Sequence, residues 1–118
     1  MPPGWPAAVP PPESPQWQRA AVAWLLDLCP ADFRAYPVLA RHPQALARLT
    51  ALHVQGAAEA CRRGLASARA ELGSTLPPPA LAEVIEALEA EQARLVAAGR
   101  GVVLVEQALL GRRYIPRL

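Results

Sequence analysis

Between Pro43 and Pro77 the chain carries no proline, and along most of that stretch apolar side chains recur in a strict alternation of four and three residues: Ala47, Ala51, Val54, Ala58, Cys61, Leu65, Ala68 and Leu72. A mean step of about 3.5 residues is the period of a left-handed helix-pair seam. The pattern therefore specifies one long amphipathic helix and requires a second helix to cover its stripe. Gly73-Ser74 reads as a C-cap and stop, and the prolines at 77–79 suit a new helix start. A second run at the same spacing then follows: Leu81, Ile85, Leu88, Gln92, Leu95, Gly99, Val102, Glu106 and Leu109, with Gly111 placed to cap it. The expected fold is all-α, a long antiparallel helical hairpin over about 43–73 and 79–110, with coiled-coil-like packing along its seam.

Antiparallel counting around the turn sets residue i opposite a residue near about 153 minus i. Leu72 then meets Leu81, Leu65 meets Leu88, Ala58 meets Leu95, Val54 meets Gly99 and Ala51 meets Val102, mostly large against small, as interdigitation requires. Cys61 opposite Gln92 forms one polar layer suited to fixing register. Arg62, Arg63 and Arg69 run beside Glu83, Glu86, Glu89 and Glu91, so exposed pairs between the helices are expected, each worth about 0–1 kcal/mol. Near the open end the apolar arc widens, adding Leu46, Leu49 and Leu52 on one helix and Val96, Val103 and Leu110 on the other. A wider arc calls for a third partner, and the Trp17/Trp24/Leu28 face of an N-terminal helix is the candidate. The tip, from about 60 to 90, has only the narrow seam and is expected to project as a two-helix arm. Gly99-Arg100-Gly101 marks either a kink or a close backbone approach, since each glycine costs about 1 kcal/mol relative to alanine inside a helix.

Upstream, Ser14-Pro15 reads as N-cap and first helical residue. Trp17, Ala21, Trp24, Leu25 and Leu28 then share a face, and the helix must end before Pro30. Pro30, Pro37 and Pro43 each open a short helical turn, with Phe33, Tyr36, Val38 and Leu39 as apolar contacts; these turns and the N-terminal helix are expected to pack at the hairpin's open end. The first fifteen residues hold seven prolines. Residues 1–13 are accordingly read as a disordered, polyproline-II-like tail outside the core, in which Trp5 alone would gain by burial. The division expected is a Pro-rich tail over 1–13, a single helical domain over 14–110 and a basic-aromatic tail over 111–118.

Composition supports a single helical unit. The chain has 118 residues and 53% apolar side chains, many of them alanine, which favours helix more than it enlarges a core. All twelve basic residues are arginine, and the net charge of +2 points neither to nucleic acid nor away from it. No secretory leader pattern opens the sequence, and Asp27 and Glu106 interrupt the two most apolar stretches, so no membrane span is expected. With Cys29 and Cys61 read as reduced thiols, the expected location is the cytoplasm.

Chemistry-bearing constellations are weak. Cys29, His42, His53 and Cys61 lack the close spacing of zinc ligands, and His53 and Cys61 would stand about 12 Å apart along one helix. Nucleophile elbow, P-loop and dinucleotide fingerprints do not occur. The acidic run Glu83–Glu91 reads as a solvated face, with Glu91 the one carboxylate beside the seam. Cys29 ahead of Pro30 reads as a small buried hydrophobe rather than a reactive thiol. No catalytic, cofactor or metal residue is assigned, and the chain is not expected to be an enzyme; a small ligand carrier would need a cavity lined by Trp17, Trp24 and His53. The least bland stretch is the end, Gly111-Arg112-Arg113-Tyr114-Ile115-Pro116-Arg117-Leu118. Arginine and tyrosine are enriched at binding hot spots, so Arg112, Arg113, Tyr114, Ile115 and Arg117 are the candidate partner-binding residues, unless Tyr114 and Ile115 fold back on the domain. The expected function is a non-catalytic protein-protein interaction module, self-associating through its hairpin or docking on a protein partner. The alternative is a nucleic-acid- or ribosome-associated protein that uses the arginine-rich tail.

Overall fold

A computed structural model describes residues 2–111. Every regular element among them is helical: α1 (Trp17–Asp27), a 3-10 turn (Ala31–Ala35), α2 (Pro37–Arg41), α3 (Pro43–Leu72) and α4 (Pro78–Leu109). The hairpin is formed by α3 and α4. Both open on proline, whose fixed φ suits the first helical turn and whose missing N–H costs nothing there.

The expected register holds. A Cβ placed on Gly99 would lie 3.6 Å from Val54 Cγ1, and one on Gly64 would lie 3.5 Å from Leu88 Cδ1. Nearer the open end, Arg48 Nε reaches Glu106 Oε2 across the helices at 3.7 Å. The turn differs in one respect from its sequence signature. Gly73 has φ −62°, a right-handed conformation, so the reversal is not a left-handed glycine cap. Instead the Leu72 carbonyl accepts the N–H groups of Thr75 and Leu76, at 3.0 and 2.9 Å. Glycine serves there because a side chain would press on the Arg69 carbonyl. At the other end Gly111 does take a positive φ, +79°, and its N–H bonds the Ala108 carbonyl at 3.0 Å.

The core sits where α1 crosses the open end of the hairpin. Trp17, Ala21 and Leu25 of α1 meet Leu46, Ala47 and Ala51 of α3 and Val102, Val105 and Leu109 of α4. Farther out the pair is thinly covered: between residues 59 and 94 only Ala68 is buried. The radius of gyration is 17.3 Å, against about 13.5 Å for a compact domain of this length, as a projecting arm requires. The expected flank pairs do not form across the helices. Arg62 bonds Glu59 and Arg94 bonds Glu91, each three residues away on its own helix, because that geometry is satisfied locally without bridging the hairpin.

Two corrections concern the N-terminus. First, α1 starts at Trp17, not at Ser14-Pro15: the Ser14 carbonyl accepts the Trp17 N–H at 3.3 Å in a turn, and Gln16 occupies the N-cap without a side-chain bond. Second, the proline-rich segment is packed rather than solvated. Val9 is 2% exposed, Trp5 Nε1 donates to the Val9 carbonyl at 2.8 Å, and the Trp5 and Trp17 rings stand 6.3 Å apart. The carbonyls of Pro2, Pro6 and Pro11 accept the N–H groups of Trp5, Val9 and Ser14. The prolines thus set successive turns instead of an extended polyproline helix, and the turns fold the chain back onto α1 and α4.

That packing explains Gly101. α4 runs through Gly99-Arg100-Gly101 without a break, and a Cβ on Gly101 would lie 3.1 Å from Trp24 Cη2 and 3.5 Å from the Gly4 carbonyl. Gly99 meets only Val54 at ordinary contact distance, and Gly56 meets nothing within 4 Å. Gly99→Ala and Gly56→Ala are therefore expected to stabilise the protein by about 0.5–1 kcal/mol each through helix propensity. Gly101→Val is expected to destabilise by about 1–3 kcal/mol through overpacking against Trp24. Thermal unfolding of the three variants checks the order; a Gly101→Val protein as stable as wild type would contradict the close approach.

Candidate functional site

The seam divides each long helix into two sides. Because a helix turns by about 100° per residue, the residue just before a seam position points to one side and the residue just after it to the other. Before the seam stand Leu46 and Thr50 on α3 and Gly101 and Val105 on α4, and all four are buried. After it stand Leu52 on α3 and Val96, Val103 and Leu110 at the end of α4. These are 54%, 46%, 40% and 51% exposed. In an antiparallel pair the preceding positions of both helices fall on the same side, and so do the following ones. α1 and the N-terminal segment cover the first side; the second is bare.

The wide apolar arc was expected to be closed by the Trp17/Trp24/Leu28 face, and only half of it is. Leu46 goes under α1, whereas Leu49, Leu52, Val96, Val103 and Leu110 stay in solvent. The reason lies in the size of α1: eleven residues make one helix about 16 Å long, which fills the groove on one side of a hairpin but cannot wrap both.

On the bare side, Glu89, Gln92, Ala93, Val96, Ala97 and Arg100 line a shallow open depression along α4. Val96, Val103 and Leu110 recur every seven residues and so form a continuous stripe toward the end of the helix. Two exposed ion pairs lie along the arm of the hairpin, Arg62 with Glu59 on α3 and Arg94 with Glu91 on α4. The Arg94 guanidinium beside Glu91 holds that carboxyl below the usual carboxylate range, chiefly through the side-chain hydrogen bond, and Arg62 does the same to Glu59. Glu91 is exposed rather than buried beside the seam.

The other sequence candidates are dispersed. Cys29 Sγ lies 3.1 Å from Thr50 Oγ1, which donates to the Leu46 carbonyl at 2.7 Å; Cys29 is thus a half-buried packing residue. Cys61 is unpaired farther along α3. His42 precedes α3 in solvent, and His53 lies beside the Phe33 ring at 6.5 Å. Among the described residues no three His, Cys, Asp or Glu side chains come together in a metal-holding group. Trp17 packs on Trp5, Trp24 packs on Gly101, and both belong to the packing around the core where α1 meets the hairpin. Arg112, Arg113, Tyr114, Ile115 and Arg117 lie outside the described residues, continuing from Gly111 at the end of the bare stripe. No helix among the described residues is long and apolar enough to cross a membrane. Compared with known proteins, the chain matches no family model, no curated protein and no solved structure.

Proposed function

We propose that this chain is a non-catalytic protein-protein interaction module, working in the reducing cytoplasm, whose docking surface is the bare side of the α3–α4 hairpin. The observation that carries the reading is the group of large aliphatic side chains left in water there: Leu52, Val96, Val103 and Leu110. Single exposed aliphatics are ordinary, but a stripe along rigid helices marks a contact surface. An apolar helix face of this kind gains by docking against another helix at a crossing of about 20°. The tail beyond Gly111 leaves from the same end, where Arg112, Arg113, Tyr114, Ile115 and Arg117 would extend the contact.

The test is a Val96→Glu/Val103→Glu double variant. Both positions are well exposed, so its circular dichroism and melting temperature should stay close to wild type, within about 1 kcal/mol. Sedimentation and native-lysate capture should show the wild-type chain bound, to itself or to a partner, and the variant free. A variant that folds normally and keeps the same mass and the same bound proteins would overturn the proposal.

A further inference from the structure

Resting on the interaction-module reading, we propose that the occupant of the bare side is a second copy of this chain, packed α4 against α4 about a twofold axis that passes between Arg94 and Leu95. The depression on α4 ends in opposite charges, Glu89 at one end and Arg100 at the other, with Ala93 and Val96 between them. Glu89 and Arg100 are equidistant from that midpoint, as are Gln92 and Ala97, and Ala93 and Val96. A twofold axis there runs the two helices antiparallel and sets Glu89 against the partner's Arg100, once at each end by symmetry. Neither Glu89 nor Arg100 takes part in an ion pair among the described residues, so both are available for this one.

The remaining positions agree. At the centre Val96 meets the partner's Ala93, and the small alanines let the axes approach to about 8–10 Å. One step farther out, Glu86 falls opposite the partner's Val103. The methylene stem of Glu86 covers that valine while its carboxylate lies near the partner's Arg100. A parallel arrangement fails, because it stacks Glu89 on the partner's Glu89 and leaves Arg100 facing Arg100. Opposite charge, small residues at the axis and an exposed aliphatic on either side thus select one orientation.

The test is a charge swap read by sedimentation velocity of the full chain over a concentration series at low salt. Wild type is expected at twice the 12.6 kDa chain mass. Glu89→Arg alone, or Arg100→Glu alone, creates like charges at both ends and should weaken the dimer by at least about tenfold. The double swap Glu89→Arg/Arg100→Glu restores opposite charges and should return the affinity to within about threefold of wild type. An equimolar mixture of the two single variants should form a mixed dimer, since each supplies what the other lacks. Circular dichroism of each variant confirms the helical fold, and recovery in the double swap shows that the single variants fail by charge and not by unfolding. A wild-type chain that stays monomeric at high concentration overturns the twofold pairing, as does a dimer indifferent to all the swaps. If the Val96→Glu/Val103→Glu variant nevertheless loses a different bound protein, the interaction-module reading stands and only the self-pairing falls; if that variant loses nothing, both fall.

Discussion

Truncating Leu46 to alanine is expected to lower the stability of this protein by about 2–5 kcal/mol, and Leu25→Ala by a similar amount. Both side chains are 0% exposed and sit where α1, α3 and α4 converge. Their neighbours explain why the upper half of that range applies. Ala21, Ala47 and Ala51 make up much of the surrounding wall, and alanine has no length with which to relax into a hole. A domain of ordinary stability, about 5–15 kcal/mol, has little to spare against such a loss. The comparison is Leu88→Ala on the arm, where the side chain is half-buried over Gly64 and the expected cost is only about 1–2 kcal/mol. Denaturant unfolding at a single protein concentration checks both, because self-association would add its own concentration-dependent stability. The midpoint should fall far more for Leu46 and Leu25 than for Leu88, with the slope unchanged. Equal shifts would mean that the stability of the molecule is spread along the hairpin and not gathered at its open end.

The features legible in the sequence are those that repeat. Helix α3 was expected to begin at Pro43 and end near residue 73, and it spans Pro43–Leu72; α4 was expected at about 79–110 and spans Pro78–Leu109. Even the register could be counted, as the approach of Val54 to Gly99 shows, because a seam renewed every three or four residues averages out any single misplaced side chain. Features decided by one non-local contact were not legible. Nothing periodic marks Val9 as a core residue; it is buried because three proline-opened turns return the chain to α1. On the arm Arg62 and Arg94 paired within their own helices, where a carboxylate three residues away is nearer than a cross-helix partner, and the pair that does cross the hairpin, Arg48 with Glu106, lies near its open end. The bare stripe lay halfway between. Its residues were visible in the sequence as part of a wide arc, but which half α1 would cover depended on the direction of its crossing, which spacing does not encode. The basic-aromatic residues from Arg112 onward stood out by composition alone and lie beyond the described residues.

Removing residues 2–13 is expected to destabilise the protein by about 2–5 kcal/mol, an effect that a solvated tail would not have. The segment contributes Val9, 2% exposed, and the Trp5 ring, which packs on Trp17 and ties itself back to the Val9 carbonyl. Burying one valine is worth about 1.5–3 kcal/mol, and a partly buried tryptophan adds to it. The loss reaches beyond the segment, because Trp17, now 8% exposed, would lose part of its cover, and the Gly4 carbonyl would leave the patch of α4 around Gly101 and Leu104. Tryptophan fluorescence reports this directly: the emission of Trp17 and Trp24 should shift to the red in the truncated chain as their surroundings become wetter. Val9→Asp separates burial from chain length, since it keeps every residue of the segment but places an unpaired charge in an apolar site; it should reproduce most of the loss. If instead both variants melt like wild type, the crossing of α1 over the hairpin is self-sufficient. The N-terminal turns would then shield that side of the hairpin without stabilising it, and the contrast between a covered and a bare side would lose its energetic basis.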